Sequence, residues 1–493
     1  MNAFKFLLKK SPKSSTLTKL YYEEGSSFFQ QKKYVEALIS YNKCLVHAKS
    51  NPVDLANGFT GRSAVYFVMK NFEKCLQNIK LAREQNILEN DMRLDDREAR
   101  CKEYLKIETK DTECTYKLSN APNPRIPFLV SGLELSQNDK FGRYIKTSRD
   151  LRPGEVIAIE EPSLRFIDLK ANIFYKYRRC FNCFKSNELN LLPGSHEVMT
   201  CSQTCYDSIK DRDFDSEALI EGDLSWKVLK MIQLKNKSLA VAGDIDSLTN
   251  HYYSPTKTIF NFDFNSLPLN ETKKVLLKCT VSLIGGTTGR TDDNVDAFKH
   301  LIGSYSNQRR EFLVTFVEHM MNVCQKTQFS LNTFDESLGQ WVKVGNCLLP
   351  FGGLLNHSCD PNVFWISLDG KFVFIVTKPI KADEQLFICY RKTFLREGLT
   401  ERRKSLLAQY GFVCDCEACH GNYGMGKTEE TPDDNLGSEQ FTDIESIDAE
   451  VARNWEQIET KFGKESPHRI AGMIAKNKFL LEIARSKIIL HVS

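Results

Sequence analysis

Three cysteines within six residues, Cys414-Asp-Cys416-Glu-Ala-Cys419, constrain this chain more than any other feature of its sequence. Thiols at that spacing share one small volume, and as thiolates they repel one another unless a cation holds them. A second group, Cys180-Phe-Asn-Cys183 and Cys201-Ser-Gln-Thr-Cys205, consists of two close pairs, which suits one tetrahedral four-thiolate site. The short cluster lacks a fourth ligand; His420 lies next to it, and the rest of the chain can also supply one. In Met1–Lys10 the few apolar residues are followed at once by Lys9 and Lys10, whereas a secretory leader places its positive residues first. The sixteen cysteines are therefore expected in a reducing compartment, cytosolic or nuclear, as metal ligands and buried thiols and not as a disulfide framework.

Charge excludes one class of function. Sixty-seven Lys and Arg against sixty-three Asp and Glu give a net charge of +4, and no long basic run stands out. No direct nucleic-acid partner is expected on that balance. No window approaches the roughly 18 uncharged apolar residues of a membrane span, so no membrane association is expected either. The chain is expected to act as a monomer.

The N-terminal part is rich in helix formers and carries an internal similarity. Gly25, Phe28, Tyr34, Ala37, Leu38 and Tyr41 are answered 38 residues later by Ser63, Tyr66, Phe72, Cys75, Leu76 and Ile79. Small residues let helices approach, and the aromatics fill the space between neighbouring hairpins. The pattern resembles the tetratricopeptide hairpin, with extra residues around Asn51-Pro52 and a weaker third unit from Asp95 to Leu105. That resemblance implies a surface for a peptide or protein partner. The proline-rich stretch Ala121–Pro127 cannot continue a helix and ends the region.

Beyond these prolines the chain turns β-rich. Phe141–Ile159 holds two short β runs around an Arg-Pro-Gly turn and predicts a hairpin. A second hairpin is predicted from Val363 through Asp369-Gly370 to Val376. Asp293–Gln325 predicts a helical insertion between them. Glu429–Glu450 is acidic and aperiodic, and Val451–Phe462 and Pro467–Val492 predict terminal helices.

Leu354-Leu-Asn-His-Ser-Cys-Asp-Pro-Asn362, then Gln385-Leu-Phe-Ile-Cys-Tyr390, then Cys414-x-Cys-x-x-Cys419 stand in one order behind the Phe-Gly-Arg run at 141–143. In that order they resemble the SET domain of protein lysine methyltransferases. The cysteine knuckle at 180–205 resembles a MYND finger, and together they resemble the SET-and-MYND family, in its tetratricopeptide-bearing fourth-member type.

The resemblance implies an α+β multidomain chain: tetratricopeptide-like hairpins at 15–118, a split SET domain at 128–395 with the knuckle at 180–205, and a post-SET segment at 396–425. An acidic linker at 426–450 and helices at 451–493 complete it. It implies S-adenosylmethionine as cofactor and a protein lysine, histone or non-histone, as acceptor. Gly142, Arg143, Asn332, Asn356 and His357 would hold the cofactor, Tyr390 would be catalytic, and Tyr410 and Phe412 would wall the lysine channel. Cys359 would complete the short cluster, giving two structural zinc ions per chain, one on Cys180, Cys183, Cys201 and Cys205 and one on Cys359, Cys414, Cys416 and Cys419.

Three departures matter. A full MYND finger has four ligand pairs and two zincs, whereas Lys185–Met199 offers only His196 and Arg212–Trp226 offers no ligand, so the finger keeps one zinc. Phe141 stands where the family often has a basic residue, and Tyr144 replaces a usual glycine and would crowd the cofactor or redirect the backbone. They keep in play a second reading, a non-catalytic SET-fold adaptor that binds a corepressor or chaperone through the repeat and knuckle.

Overall fold

The computed structural model describes residues 15–48, 51–85, 91–107, 117–167, 177–185, 189–194 and 198–210. It also describes 258–283 with short breaks, 323–335, and 340–422 except 369, 392, 395 and 396. Five helices come first: α1 (Ser15–Gln30), α2 (Tyr34–His47), α3 (Pro52–Val68), α4 (Phe72–Arg83) and α5 (Met92–Ile107). Local chemistry sets two of their starts. The Asn51 side chain accepts from the Val53 amide at 3.0 Å, with Pro52 at the first helical position. Asn71 accepts from the Lys74 amide at 3.2 Å.

Close approach of these helices depends on one aromatic. A Cβ added at Gly25 or Gly61 would lie 2.8 or 2.5 Å from the ring of Tyr41. Tyr41 is buried with Ala37, Leu38, Leu45, Phe59, Val65 and Tyr66 in a helical core. The predicted equivalence of Gly25 with Ser63 missed this contact: the small residue facing Tyr41 from α3 is Gly61, two positions earlier. A helix repacks by rotating about its axis, so the pattern of spacings alone does not settle which small residue meets the ring.

A polar seam joins the helices to the rest of the chain. Arg62 is fully buried, and its guanidinium donates to the side-chain oxygens of Asn42, Asn78 and Asn190 and to the Leu191 carbonyl. Phe59 lies beneath it, 5.4 Å from ring centroid to guanidinium carbon. Burial pushes its pKa down to about 10.

The β-rich part is made of small sheets. β1 (Leu133–Asn138) and β2 (Gly142–Thr147) form an antiparallel pair, with Gly142 at φ 62° in the loop. β3 (Val156–Glu160) and β4 (Leu164–Ile167) come next, then the short pair β5 (Leu192–Pro193) and β6 (Met199–Thr200), and helix α6 (Gln203–Lys210). β7 (Gln328–Asp335) and β8 (Gln340–Leu348) pair antiparallel, and β4 adds to β8. β9 (Asn356–His357), β10 (Val363–Leu368), β11 (Lys371–Val376) and β12 (Phe387–Ile388) complete the strands, with helices α7 (Leu399–Tyr410) and α8 (Glu417–His420) after them.

The predicted 363–376 hairpin is present: β10 and β11 pair from Val363↔Val376 to Leu368↔Lys371, with Gly370 at φ 76°. The hairpin predicted within 141–159 is not. β2 pairs with β1, and β3 pairs with β11. The turn itself sends the chain across. Leu151 exchanges backbone hydrogen bonds with Ile380, and the Gly154 amide donates to the Val376 carbonyl at 2.8 Å, so β3 leaves for another sheet. Tyr144 lies in regular register opposite Ser136, and among the described residues of this hairpin only Gly142 has a left-handed backbone. A tyrosine there needs no altered backbone path.

These sheets enclose one apolar core, including Leu133, Ile145, Ile157, Phe329, Phe351, Leu354, Phe372 and Phe374. No described helix is long and apolar enough to cross a membrane. His196, the acidic linker and the terminal helices lie outside the described residues, as does the predicted 293–325 helix save its last residues from 323, which are helical.

Gly61→Ala would drive a methyl into a fully packed ring. Overpacking of that kind costs roughly 1–3 kcal/mol. We expect a lowered melting temperature by scanning calorimetry; an unchanged transition would show that Tyr41 has room to move.

Candidate active site and two metal centres

The site begins from a short parallel pairing. β9 lies against β12, with Asn356 opposite Phe387 and His357 opposite Ile388, and the Ser358 amide extends the ladder to the Ile388 carbonyl at 2.9 Å. Thirty-odd residues apart in sequence, Asn356-His357 and Tyr390 thereby become neighbours. The turn leading into β9 is held from below. Glu160, at the end of β3 and almost wholly buried, accepts from the amides of Phe351 at 2.7 Å and Gly352 at 3.0 Å.

Asn356 reaches the other way. Its Nδ2 donates to the carbonyls of Phe141 and Arg143, each at 3.2 Å, and so clamps the loop around Gly142. Among the described residues its Oδ1 accepts no hydrogen bond, and a Cβ at Gly142 would meet nothing within 4 Å. Arg143 is tied down by Nη2 donating to the Ser282 carbonyl at 2.9 Å. Phe141 packs edge-on against Phe387, ring centroids 5.7 Å apart, and against Tyr144.

Tyr390 is fixed at both ends. Its hydroxyl donates to the Leu355 carbonyl at 2.8 Å, and its amide donates to His357 Nδ1 at 3.0 Å. An amide can only donate, so Nδ1 is an acceptor and the neutral imidazole carries its proton on Nε2. That Nε2 faces Cys359 Sγ at 3.3 Å, buried among the second cysteine group. Burial pushes the His357 pKa down to about 4, which keeps this tautomer neutral. Tyr410 stacks obliquely on Tyr390 at 4.9 Å, and Phe412 stands 6.0 Å from His357 and 6.4 Å from Tyr410. Burial raises the hydroxyl pKa of Tyr390 and of Tyr410 above the usual tyrosine value.

Both cysteine groups assemble. Cys180, Cys183, Cys201 and Cys205 present four sulfurs within 4.8 Å of one another, and so do Cys359, Cys414, Cys416 and Cys419. A tetrahedral ion with Zn–S bonds of about 2.3 Å spaces its sulfurs about 3.8 Å apart. The closest separations, 3.4 and 3.6 Å in the first group and 3.5 and 3.9 Å in the second, fit that size. The sulfur that completes the second group is that of Cys359, and His420 is exposed outside it. Arg402 braces this group: fully buried, it donates to the carbonyls of Glu397 and Ala418 and lies 3.8 Å from Cys419 Sγ.

The structure therefore brings together Gly142, Arg143, Asn356, His357, Tyr390, Tyr410 and Phe412, and the two cysteine quartets. Asn332 lies on β7 opposite Lys343, beside a register shift, and among the described residues makes no hydrogen bond to Asn356, His357 or Tyr390. Sequence reading missed three contributors. Glu160 sits in an apolar strand run, Val-Ile-Ala-Ile-Glu, where a lone carboxylate signals a buried acceptor role. Arg402 carries no comparable signal on its charged helix. The Leu355 carbonyl, a backbone group, has none at all.

The SET domain family profile matches residues 142–391, half of the chain, and the chain belongs to that family. Among its relatives are SET-and-MYND proteins of the SMYD4 kind. It is 23% identical to "Protein-lysine N-methyltransferase SMYD4" of Danio rerio, over 86% of this chain and 67% of that protein, so it spans about two thirds of that relative's length. "Histone-lysine N-methyltransferase SMYD3" of Mus musculus is 33% identical over 26% of this chain and 29% of its own. "SET domain and MYND-type zinc finger protein 6" of Schizosaccharomyces pombe is 32% identical over 27% of this chain and 28% of its own.

The geometry of the quartets predicts two zinc ions per chain by elemental analysis, one of them lost in Cys416→Ser. A full count in that variant would remove Cys416 from the ligand set. Glu160 makes a separate prediction. Burial pushes its pKa up to about 8, with the two amide bonds opposing. An unfolded carboxyl titrates near about 4.3, so between these values the folded state holds the extra proton. The Glu160 contribution to stability is then greatest at low pH and falls as pH rises toward about 8, by up to ~1.4 kcal/mol per pH unit. Urea midpoints measured from pH 5.5 to 8 should drop, and Glu160→Gln should flatten that drop; equal slopes in both proteins would refute the assignment.

Proposed function

We propose that this chain is an S-adenosylmethionine-dependent protein lysine N-methyltransferase. The observation that carries the reading is Tyr390, packed between His357 and Tyr410 with its hydroxyl anchored 2.8 Å from the Leu355 carbonyl, beside the loop that Asn356 clamps. The relatives named as protein-lysine and histone-lysine methyltransferases support it.

The residues present suit the cofactor. The open space over Gly142, the acceptor Oδ1 of Asn356 and the backbone around Arg143 offer room and hydrogen-bonding groups for an adenosyl moiety. When bound, S-adenosylmethionine supplies a methyl group on a positively charged sulfur. The protein's own part is to deliver a neutral amine in line. A free lysine has a pKa near about 10.4, so its ammonium must lose a proton. The burial that raises the pKa of Tyr390 and of Tyr410 also disfavours an ammonium beside them. With its proton committed to the Leu355 carbonyl, the Tyr390 oxygen keeps its lone pairs for an amine N–H and orients the nucleophile. Both metal sites, with four thiolates each, have no open position for substrate and act structurally. The tetratricopeptide-like helices and the MYND-like knuckle serve recognition in this reading.

Calorimetry with S-adenosylmethionine on zinc-loaded protein should give micromolar binding. Tyr390→Phe should keep that binding and lose methyl transfer to a lysine substrate by about a hundredfold. Correctly folded, zinc-loaded protein that binds no cofactor would reject the enzyme and leave the adaptor reading.

A further inference from the structure

The seam at Arg62 is built like a receptor and is already filled. Each of three successive helices contributes one fully buried polar side chain: Asn42 from α2, Arg62 from α3 and Asn78 from α4. All three converge on the segment Leu189-Asn190-Leu191 of the zinc knuckle. Asn42 Nδ2 donates to the Leu189 carbonyl at 3.0 Å and the Tyr177 carbonyl at 2.9 Å, and Arg62 donates to the Leu191 carbonyl. The Asn190 side chain is read completely: its Oδ1 accepts from Arg62 at 2.8 Å and Asn78 at 2.9 Å, and its Nδ2 donates to Gln77 Oε1 at 2.8 Å. Leu189 is buried in the helical core, and Leu191 packs with Val46 of α2, Met199 and Cys180.

Two features make this an occupied site and not ordinary packing. The partners of the Arg62 guanidinium in this seam are neutral oxygens, two of them supplied by the knuckle segment. Withdrawing that segment leaves a cation short of acceptors, a strong demand for a replacement. The segment is also strained. Leu189 is held at φ 64°, a left-handed conformation that costs a bulky side chain roughly 1–2 kcal/mol and persists only where its surroundings impose it. From outside the helices, the first cysteine group brackets the segment. Cys180 and Cys183 precede the segment and Cys201 and Cys205 come after it, so one ion closes both ends of the loop.

We propose that the Asn42–Arg62–Asn78 ladder is a binding site for an asparagine flanked by leucines in a peptide, filled in cis by Leu189-Asn190-Leu191 while the neighbouring four-cysteine site holds its metal. Loss of that metal frees the loop ends, lets Leu189 leave its left-handed conformation, and opens the ladder to the same kind of peptide in trans. This goes beyond the methyltransferase reading and does not depend on it.

The probe is a fluorescein-labelled peptide with the sequence of residues 185–194, followed by anisotropy against the full chain. Zinc-loaded wild type should not bind it at micromolar concentration. A Cys201→Ser/Cys205→Ser chain, which keeps the second metal site, should bind it, and at least tenfold more weakly once the peptide's asparagine is replaced by alanine. An Asn190→Ala chain should also bind it while zinc-loaded, which covers the outcome in which the cysteine variant loses its helical circular dichroism. Adding Arg62→Lys to the Asn190→Ala chain should remove binding with helicity retained. Equal binding to loaded wild type, insensitivity to the peptide's asparagine, or no binding to a folded Asn190→Ala chain would each overturn the proposal.

Discussion

Asn356 against Phe387 and His357 against Ile388, two rungs of a parallel ladder, hold the site together. Every other feature of it hangs from that pairing. One side chain of β9 turns outward to clamp the loop of the first hairpin, and the next turns inward to accept from the Tyr390 amide. A strand alternates its side chains between two faces, so adjacent residues can serve a binding loop and a buried centre at once. A slip of one residue would exchange those roles, and the register is secured on both sides. Glu160 fixes the approach through two backbone amides, and Cys359 fixes the exit through the metal cluster.

His357 makes the metal centre and the aromatic group a single object. Its imidazole contacts the Tyr390 backbone through one nitrogen and the Cys359 sulfur through the other. A metal-bound thiolate is a good acceptor for that N–H, and the bond holds the ring in one orientation and one tautomer. Phe412, only two residues before Cys414, packs against the same ring. The second quartet therefore does more than tether the chain after α7: it bears on where the His357 and Phe412 rings stand relative to Tyr390.

In the seam between the helices and the first cysteine group, burial of a cation is balanced by amides. Arg62 lies in a seam of asparagines, with an aromatic ring beneath it, and donates hydrogen bonds to chain more than a hundred residues away. The helices and the knuckle share this network, and a metal quartet stands beside it, so local unfolding of one is felt by the other.

Much of this was legible in the residues. Thiol spacing announced two metal centres because close thiolates need a cation whatever the fold, and Asp369-Gly370 announced its hairpin because a two-residue turn is a local event. The Asn-His-Ser-Cys run and the later Tyr390, set apart in sequence, meet at the β9–β12 pairing. The partner of β2, the contact of Tyr41 with Gly61, the burial of Glu160 and the filling of the helical ladder by Leu189–Leu191 were not legible. Each joins segments distant in sequence, and its energy comes from desolvation and register that exist only once the sheets and helices have packed. Sequence by itself determined which thiols and aromatic side chains this protein has to bring together; tertiary structure decided which strand, carbonyl and loop each one meets, because those choices are settled by burial between distant segments and not by local chemistry.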